Sequence, residues 1–358
     1  MKHVLVVPAI LVIIGTILVA GWVPSGYYIL QPGGAYDVES RLHIPAEYRE
    51  ESGHLAFTAV RAGPGRWLDV ALAWIDPVSR VVPGNDVRPE GISQEEFNEI
   101  NQELIDESKS VAAVVALRRA GFDARVTGQG AMVQGLLEDM PAADVLKQGD
   151  VIVGVDGEPV QTAVQVIEVT RRHQVGDDVQ LEIERDGARH TVTVGTTSSP
   201  EEPNRPVIGA AISTYQYDVV LPFSVTIDTE GIGGPSAGTM FALGILDAVT
   251  DGTLTRGHFV AGTGTISADG TVGPIDGATQ KVVAAERDGA DVFLAPRQNY
   301  EEASHAAHSI RVVPVDRFED ALQSLCGLNP INGASPEPPT PCDDAPAASA
   351  VSPSASGG

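Results

Sequence analysis

The sequence predicts an α/β protein with two folded parts, one membrane helix before them and a disordered tail after them. Between residues 36 and 325, strand-like segments alternate with segments that have helical spacing, as in α/β proteins. Twenty uncharged residues precede this region, and a stretch rich in Pro, Ala, Ser and Gly follows it. We divide the chain into five regions, residues 1–30, 31–125, 126–196, 197–328 and 329–358.

The first region contains an uncharged segment, residues 4–23, that is rich in Val, Ile and Leu. About twenty such residues span a bilayer as a helix. Trp22, Tyr27 and Tyr28 stand at its outer end, where aromatic side chains favour the membrane interface, and Lys2 before it predicts a cytoplasmic N-terminus. A cleaved signal peptide is the alternative, but its apolar core is usually about 7–15 residues. We expect an uncleaved, single-pass anchor in the cell membrane, with the later domains outside the cytoplasm.

The charge and the cysteines limit the partners and the compartment. A formal net charge of -25 argues against nucleic acid as a partner, because phosphates need a basic surface. Cys326 and Cys342 are the two cysteines. Outside the cytoplasm they could form a disulfide that closes a short loop, but two free thiols would give the same pattern. Residues 329–358 carry almost no large apolar side chains, so we expect them to be disordered.

The second region, residues 31–125, begins with an extended stretch. A strand is predicted over residues 54–60, and Gly63-Pro64-Gly65 is expected to end it. Ser93 and Glu96 have the spacing of a capping box, which predicts the start of a helix. We expect this helix to be interrupted before its second, apolar half and to stop at Gly121.

The third region, residues 126–196, has a strand and helix pattern of its own. A helix is predicted over residues 162–173, followed by strands over residues 179–184 and 190–194. Three runs carry a family pattern: Pro141-Ala142-Ala143, Gly149-Asp150-Val151-Ile152 and Val155-Asp156-Gly157. With them the region resembles a PDZ domain of the bacterial protease type, which implies a partly open β-barrel or sandwich with helices.

A PDZ domain binds an extended peptide, often a C-terminus, by adding it to a sheet edge. The resemblance therefore implies a peptide-binding site in this region. We expect its carboxylate-binding loop near residues 128–132. The peptide-binding residues predicted in this way are Gly130, Ala131, Met132 and Val133.

The fourth region contains a candidate nucleophile in the run Gly233-Gly234-Pro235-Ser236-Ala237-Gly238. Glycine allows close approach of a substrate backbone, and Pro235 suits the first turn of a helix, which we expect to run from Ser236 to about Val249. Ser236 would then lie among unpaired N–H groups at the positive end of that helix, which can hold an oxyanion. A serine that only caps the helix would fit the same residues.

A candidate base follows the serine in the same region. Lysine is rare in this chain, yet Lys281 stands in the apolar stretch of residues 278–285. Burial lowers the pKa of an amine, and a neutral amine can take the proton of a serine hydroxyl. The alternative is a surface lysine whose stem covers apolar neighbours while its amine reaches water.

Together these residues belong to a longer pattern. It consists of the runs Gly234-Pro235-Ser236-Ala237-Gly238, Gly262-Thr263-Gly264-Thr265-Ile266 and Gly270 to Lys281, in this order. The pattern resembles the proteolytic domain of the Lon family over residues 207–325. The resemblance implies that Ser236 is the nucleophile, Lys281 the general base and Thr263 the residue that orients the lysine. Gly234, Pro235 and Ala237 would support the nucleophile.

The whole arrangement is similar to the membrane-anchored, PDZ-containing Lon-like proteases of bacteria, with the PDZ domain inserted into the Lon-like domain. This implies a serine endopeptidase that cleaves unfolded or flexible proteins and peptides and uses no cofactor or metal. Lon domains commonly assemble as rings, and whether this chain forms a homo-oligomeric ring is left open by the sequence. No Gly-x-x-x-x-Gly-Lys-Ser/Thr run is present, so we expect proteolysis without ATP. Gly233 stands where ATP-dependent Lon proteases carry an acidic residue, which sets this chain apart from them.

Three other interpretations fit parts of the sequence. Gly234-x-Ser236-x-Gly238 also fits the nucleophile elbow of an α/β-hydrolase esterase, whose histidine would be His258, His305 or His308. His305 and His308 could bind a metal, although an exposed polar helix face explains them as well. The PDZ unit could also make the protein an anchored scaffold or chaperone without catalysis.

Overall fold

The computed structural model describes residues 15, 19–49, 53–88, 93–137, 139–198, 206–229, 231–250, 254–331, 334 and 342. The predicted membrane segment, residues 4–23, and the tail lie mostly outside these residues. In the part of the chain that is described, no helix is long and apolar enough to cross a membrane. The chain forms two compact units, one from residues 1–123 and 223–358, the other from residues 124–222.

The strands and helices are numbered in chain order. The strands are β1 Pro24–Asp37, β2 Leu42–His43, β3 His54–Arg66, β4 Arg80–Pro83, β5 Arg125–Thr127, β6 Ala131–Leu136, β7 Val151–Val155, β8 Glu158–Pro159, β9 Asp178–Arg185, β10 Ala188–Gly195, β11 Thr197–Ser198, β12 Pro206–Val207, β13 Ala210–Thr214, β14 Asp218–Val220, β15 Thr226–Ile227, β16 Phe259–Gly262, β17 Thr265–Ile266, β18 Val272–Gly273, β19 Val292–Pro296 and β20 Arg311–Val315. The α-helices are α1 Trp67–Ala73, α2 Gly84–Val87, α3 Gln94–Arg119, α4 Ala163–Thr170, α5 Gly238–Ala248, α6 Ala278–Arg287, α7 Tyr300–Ala306 and α8 Phe318–Cys326.

The first unit is built on a six-stranded sheet in the order β20-β19-β16-β3-β1-β4. The four strands from β20 to β3 run parallel, and β1 pairs antiparallel with β3 and β4. Successive residues of a strand point to opposite faces. Accordingly Ala56 packs in the cluster that contains α6, whereas the Phe57 ring contacts Phe241 of α5 at 5.1 Å. Helices α5 and α6 therefore cover opposite faces of the sheet.

Strand β3 is longer than the sequence predicts, because Gly63-Pro64-Gly65 does not end it. These residues pair with the start of β1, with Ile29 opposite Gly63 and Tyr28 opposite Pro64. On its other side, β3 pairs with β16 only over residues 54–57. The Pro64 stretch is thus an edge of the sheet, where a residue without an N–H group is tolerated.

Helix α3 is continuous, so the predicted interruption is wrong. Its start is the predicted capping box, in which the Glu96 N–H donates to Ser93 Oγ at 3.1 Å and the Ser93 N–H to Glu96 Oε2 at 2.8 Å. No glycine or proline interrupts residues 94–119. Its second half is buried from Val111 to Leu117 and packs against α5. Packing against the buried helix α5 therefore stabilises the apolar second half of α3 as a direct continuation of the first half.

The second unit has its own sheet in the order β10-β9-β7-β6-β13, with β8 beside β7, and its own core. Helix α4 lies within the predicted range of residues 162–173, and β9 and β10 cover the two predicted strands. The boundary expected at residue 197 differs in the structure. Strand β13 pairs with β6, and β14 pairs with β5. Residues 206–222 therefore belong to the second unit, because their backbone hydrogen bonds go to its strands.

The two cysteines, which the sequence could not assign as paired or free, are paired in the structure. Cys326, the last residue of α8, forms a disulfide with Cys342, and their Cα atoms are 5.7 Å apart. The bond ties the end of the last helix to a residue in the tail region.

Candidate active site

Ser236 lies in the turn between residues 231 and 237, immediately before α5. Helix α5 is buried along its whole length, which fixes the position of the turn. Gly234 has a φ of 86°, a left-handed conformation that glycine adopts without strain. The helix begins at Gly238 and not at Ser236 as predicted, because the Ser236 carbonyl oxygen accepts bonds from Gly264 N at 2.7 Å and Thr263 Oγ1 at 2.8 Å.

Lys281 lies in the first turn of α6 and is 3% exposed. Its Nζ donates to Ser236 Oγ at 2.8 Å and to Thr263 Oγ1 at 3.0 Å. Burial lowers the pKa of this amine to about 7, and the nearby Asp276 carboxylate opposes that shift. A surface lysine that reaches water is therefore excluded, because the amine ends inside the protein.

The Ser236 hydroxyl does not cap α5. The residue at the cap position of that helix is Ala237, and no side chain accepts a bond from the first turn there. Instead Ser236 Oγ lies beside the buried amine. The hydroxyl is thus placed for proton transfer.

Thr263 directly follows β16 and is fully buried. Its hydroxyl donates to the Ser236 carbonyl oxygen and accepts from Lys281 Nζ. The N-terminal end of α5 and the first turn of α6, which cover opposite faces of the sheet, meet at this residue. Thr263 therefore holds the serine backbone and the lysine amine in one hydrogen-bonded cluster.

Helix α3 contributes two contacts that sequence reasoning missed. Ser108 Oγ donates to the Pro235 carbonyl oxygen at 3.0 Å, and Gly234 N donates to the Asn101 carbonyl oxygen at 2.8 Å. A Cβ atom on Gly233 would meet the Asn101 Cβ at 2.9 Å. Helix α3 is therefore packed against Gly233, the position where ATP-dependent Lon proteases carry an acidic residue. No sequence motif marks Asn101 or Ser108, because they reach the glycine turn only through contacts between residues far apart in the chain.

These contacts fix both peptide planes beside the nucleophile. A trans peptide places the N–H group opposite the carbonyl oxygen of the same plane. Ser108 donates to the Pro235 carbonyl oxygen, so the Ser236 N–H group of the same peptide plane points away from Ser108. Thr263 donates to the Ser236 carbonyl oxygen, so the Ala237 N–H group points away from Thr263. Neither N–H group donates to any residue in the described ranges. Two backbone donors next to Ser236 are therefore free for an oxyanion.

The serine and the lysine open into a cleft of about 760 Å³, a size typical of ligand sites. Phe97, Val60 and Ile275 supply apolar lining, and Asn101 lines it beside the glycine turn. None of the histidines that the structure describes lines this cleft. The esterase interpretation needs such a histidine beside Ser236, and Lys281 occupies that place.

The histidines considered for other roles have other neighbours. His258 Nε2 lies 2.9 Å from the Asn329 carbonyl oxygen, and His308 Nδ1 lies 3.4 Å from Glu286 Oε2. Among the described residues, no group of three or more His, Cys, Asp or Glu side chains is placed to hold a metal ion.

The predicted peptide-binding residues of the second unit do not form an open edge of its sheet. Gly130 precedes β6, and Ala131 and Val133 are fully buried in the core of this unit. Ala131 and Met132 pair with β7 on one side and with β13 on the other. A peptide therefore cannot add as a strand to β6 at these residues, because both sides of β6 are already paired. A contact of Gly130, Ala131, Met132 or Val133 with a ligand in another way stays a prediction. Among the described strands, the edges of the sheet are β10 and β13, and α4 packs against β13.

Comparison with known families agrees with these two units. Residues 115–196 match the PDZ domain family, and residues 228–326 match the Lon protease (S16) C-terminal proteolytic domain. The chain therefore contains a PDZ domain and a Lon-type proteolytic domain in a mixed α/β fold.

Individual relatives match over short stretches. Lon protease 2 of Bacillus subtilis is 32% identical over 123 residues, which are 34% of this chain and 21% of that protein. The archaeal Lon protease of Archaeoglobus fulgidus is 33% identical over 27% of this chain and 16% of its own. A probable periplasmic serine endoprotease DegP-like of Halomonas elongata is 39% identical over 20% of this chain and 16% of its own. The chain thus spans about a fifth or less of these relatives.

Solved PDZ structures are also similar to part of the chain. The PDZ domain of an SdrC-like protein from Listeria monocytogenes is 28% identical, with a TM-score of 0.23. That match covers 25% of this chain and 92% of the solved chain.

Proposed function

We propose that the first unit is a serine endopeptidase with Ser236 as nucleophile and Lys281 as general base. One observation supports this above all others. A buried amine whose pKa is lowered to about 7 lies 2.8 Å from a serine hydroxyl. A large fraction of this amine is neutral near pH 7, which is what a general base requires. The match to the Lon proteolytic domain supports the same assignment.

The geometry suggests a sequence of proton transfers. Neutral Lys281 takes the Ser236 proton as Oγ attacks the carbonyl carbon of the scissile peptide bond. The N–H groups of Ser236 and Ala237 donate to the oxyanion, and each such donor is commonly worth about 3–4 kcal/mol. Protonated Lys281 then returns the proton to the leaving amine, and a water molecule activated by the lysine hydrolyses the acyl-enzyme. Thr263 keeps the amine in place through both steps.

The substrate and partners are proposed from the same features. The cleft has no phosphate-binding loop, and no such motif occurs in the sequence, so unfolded or flexible segments would enter it without ATP. The PDZ domain would bind substrate tails, and the outer edge of β13 beside α4 is the place we assign to them. A membrane anchor at residues 4–23, an extracytoplasmic location and a homo-oligomeric ring also belong to this proposal.

A peptidase assay without ATP tests the assignment. The full chain in detergent should cleave casein or a quenched peptide, and Ser236→Ala should lose essentially all activity. Lys281→Arg should also be inactive, because arginine keeps its proton. Lys281→Met is the control for Lys281→Arg, because methionine also removes the base but does not require a larger charged side chain to be buried at this site. His258→Ala should keep full activity, because His258 does not line the cleft. Equal rates in the wild type, Ser236→Ala and Lys281→Met would overturn the proposal, whereas loss in His258→Ala alone would favour the esterase.

A further inference from the structure

Helix α1 of the first unit carries apolar residues on its exposed side as well as on its buried side, and Asp69 is the one charged residue between Trp67 and Ala73. Val70 and Ala73 are buried at 3% and 5% exposure and face the core. Trp67, Ala71 and Trp74 are exposed, and their spacing of i, i+4 and i+7 puts them together on the solvent face. A surface helix normally carries polar residues on that face, and a helix that is apolar all round is normally covered.

The apolar face of α1 continues onto the chain just before β1. Trp67 N donates to the Val23 carbonyl oxygen at 3.2 Å, and the Trp67 ring meets Tyr27 edge to face at 6.2 Å. Arg66 donates to the Gly21 carbonyl oxygen at 2.9 Å, and its guanidinium lies 5.8 Å from the Trp22 ring centre.

These side chains form one surface, which we call the aromatic patch. Its members are Trp22, Tyr27, Trp67, Leu72, Trp74 and Ile75. Trp22 and Trp74 are both 78% exposed and Ile75 is 81% exposed. The patch contains all three tryptophans of the chain. Contiguous exposed apolar surface of this kind marks an interaction site.

We propose that the aromatic patch lies on the surface of a lipid bilayer, with α1 parallel to the membrane plane. Residues 4–23 are uncharged, and this segment ends at the patch, since Trp22 belongs to both. Tryptophan and tyrosine favour the headgroup level of a bilayer. Arg66 beside Trp22 provides a cation for lipid phosphate. The membrane contact itself does not depend on the proposed peptidase activity, whereas what it implies for substrates of the cleft rests on that proposal.

The acidic groups nearest the patch are engaged locally. Asp69 Oδ2 accepts from the Arg66 N–H at 2.9 Å. Asp76 Oδ2 accepts from Ser79 Oγ at 2.6 Å, and this bond holds the pKa of Asp76 below its ordinary value. Both carboxylates therefore accept hydrogen bonds from partners in their own chain.

Membrane contact here would place the proposed active site close to the lipid. Tyr27 of the patch and Leu30 of the cleft lining are three residues apart on β1. At about 3.3 Å per residue, this is roughly 10 Å along the strand. We therefore expect the cleft to receive extended segments that leave the membrane surface, in preference to chains far from it.

Tryptophan fluorescence tests the patch directly, because every tryptophan belongs to it. The full chain is reconstituted into phosphatidylcholine vesicles that contain phosphatidylglycerol, with acyl chains brominated either near the headgroup or near the bilayer centre. A variant with Trp22→Phe and Trp67→Phe reports on Trp74 alone. We expect blue-shifted emission that the shallow bromine quenches more than the deep bromine. Phenylalanine keeps an apolar ring at each site, so the fold is retained, and circular dichroism checks this.

A matched control carries its probe outside the patch. It has all three tryptophans replaced by phenylalanine and Ile100→Trp, an exposed apolar position on α3. This probe should be quenched by aqueous iodide and not by brominated lipid. Trp74 quenching no greater than that of the control would overturn the proposal. So would a lipid-independent blue shift that grows with protein concentration, since a second copy would then cover the patch.

Discussion

At the scale of single residues, the proposed mechanism depends on the protonation of Lys281. Its pKa is lowered to about 7 mainly by burial, while Asp276 raises it. We expect kcat/KM to rise with pH through about 7, because only the neutral amine accepts the serine proton. Asp276→Asn removes the opposing charge and should move this rise to lower pH. A pH profile unchanged in Asp276→Asn would contradict this account.

The lowered pKa of Lys281 also determines the direction in which the free energy of unfolding changes with pH. In the unfolded chain the amine has its ordinary pKa of 10.5, so between about pH 7 and 10.5 the unfolded state binds more protons than the folded one. The free energy of unfolding should therefore gain a contribution that increases with pH across this window. Lys281→Met should abolish that contribution, and chemical denaturation at several pH values measures it.

Ser108 is a positioning residue that acts through the Pro235 carbonyl oxygen. Ser108→Ala releases the peptide plane that carries the Ser236 N–H, so we expect kcat to fall about tenfold, equivalent to about 1.4 kcal/mol. KM should stay nearly constant, because Ser108 does not line the cleft. The matched control is Ser110→Ala on the same helix, since Ser110 Oγ donates only to its own helix at the Asp106 carbonyl oxygen, 2.9 Å away. Equal kcat in both variants would remove this role from Ser108.

At the scale of elements, α3 packs against the glycine turn that precedes Ser236. Gly233→Asp introduces the acid found in ATP-dependent Lon proteases, but its Cβ would lie 2.9 Å from the Asn101 Cβ. We expect the turn to move away from α3. Peptidase activity should then fall about 100-fold, because a small misplacement of a catalytic group reduces the rate by about this factor. Gly63→Ala is the control, because a Cβ atom added at Gly63 would have no other atom within 4 Å. Full activity in Gly233→Asp would show that α3 does not set the turn.

In the second unit, one ion pair ties the Gly149-Asp150 step to β9. Asp150 is 2% exposed and accepts from Arg185 Nε at 2.7 Å and from Lys147 N at 2.8 Å. Burial alone would raise the pKa of Asp150, but these bonds hold it below its ordinary value. The run Gly149-Asp150-Val151-Ile152, which carries the resemblance to PDZ domains, thus contains a buried carboxylate with a structural role.

At the scale of the whole molecule, two separate cores predict two unfolding events. Arg185→Met leaves Asp150 buried without its cation and should destabilise the second unit by about 3–5 kcal/mol. Calorimetry should show one transition moving to lower temperature and the other unchanged. Peptidase activity at low temperature should persist on a peptide too short to need tail binding. A single transition that shifts as a whole would show that the two units unfold together.

The sequence by itself determined the PDZ and Lon-type domains, because glycines, the serine and the lysine of the motifs are local requirements of backbone shape and chemistry. It also determined the capping box of α3, since a cap is a contact between near neighbours in the chain. Only the tertiary structure decided that Ser236 and Lys281 meet at Thr263, and that Asn101 and Ser108 support them. It also decided that β6 is paired on both sides and that residues 206–222 belong with the PDZ domain. These features depend on hydrogen bonds and packing between residues far apart in the chain, and no local pattern encodes such partners.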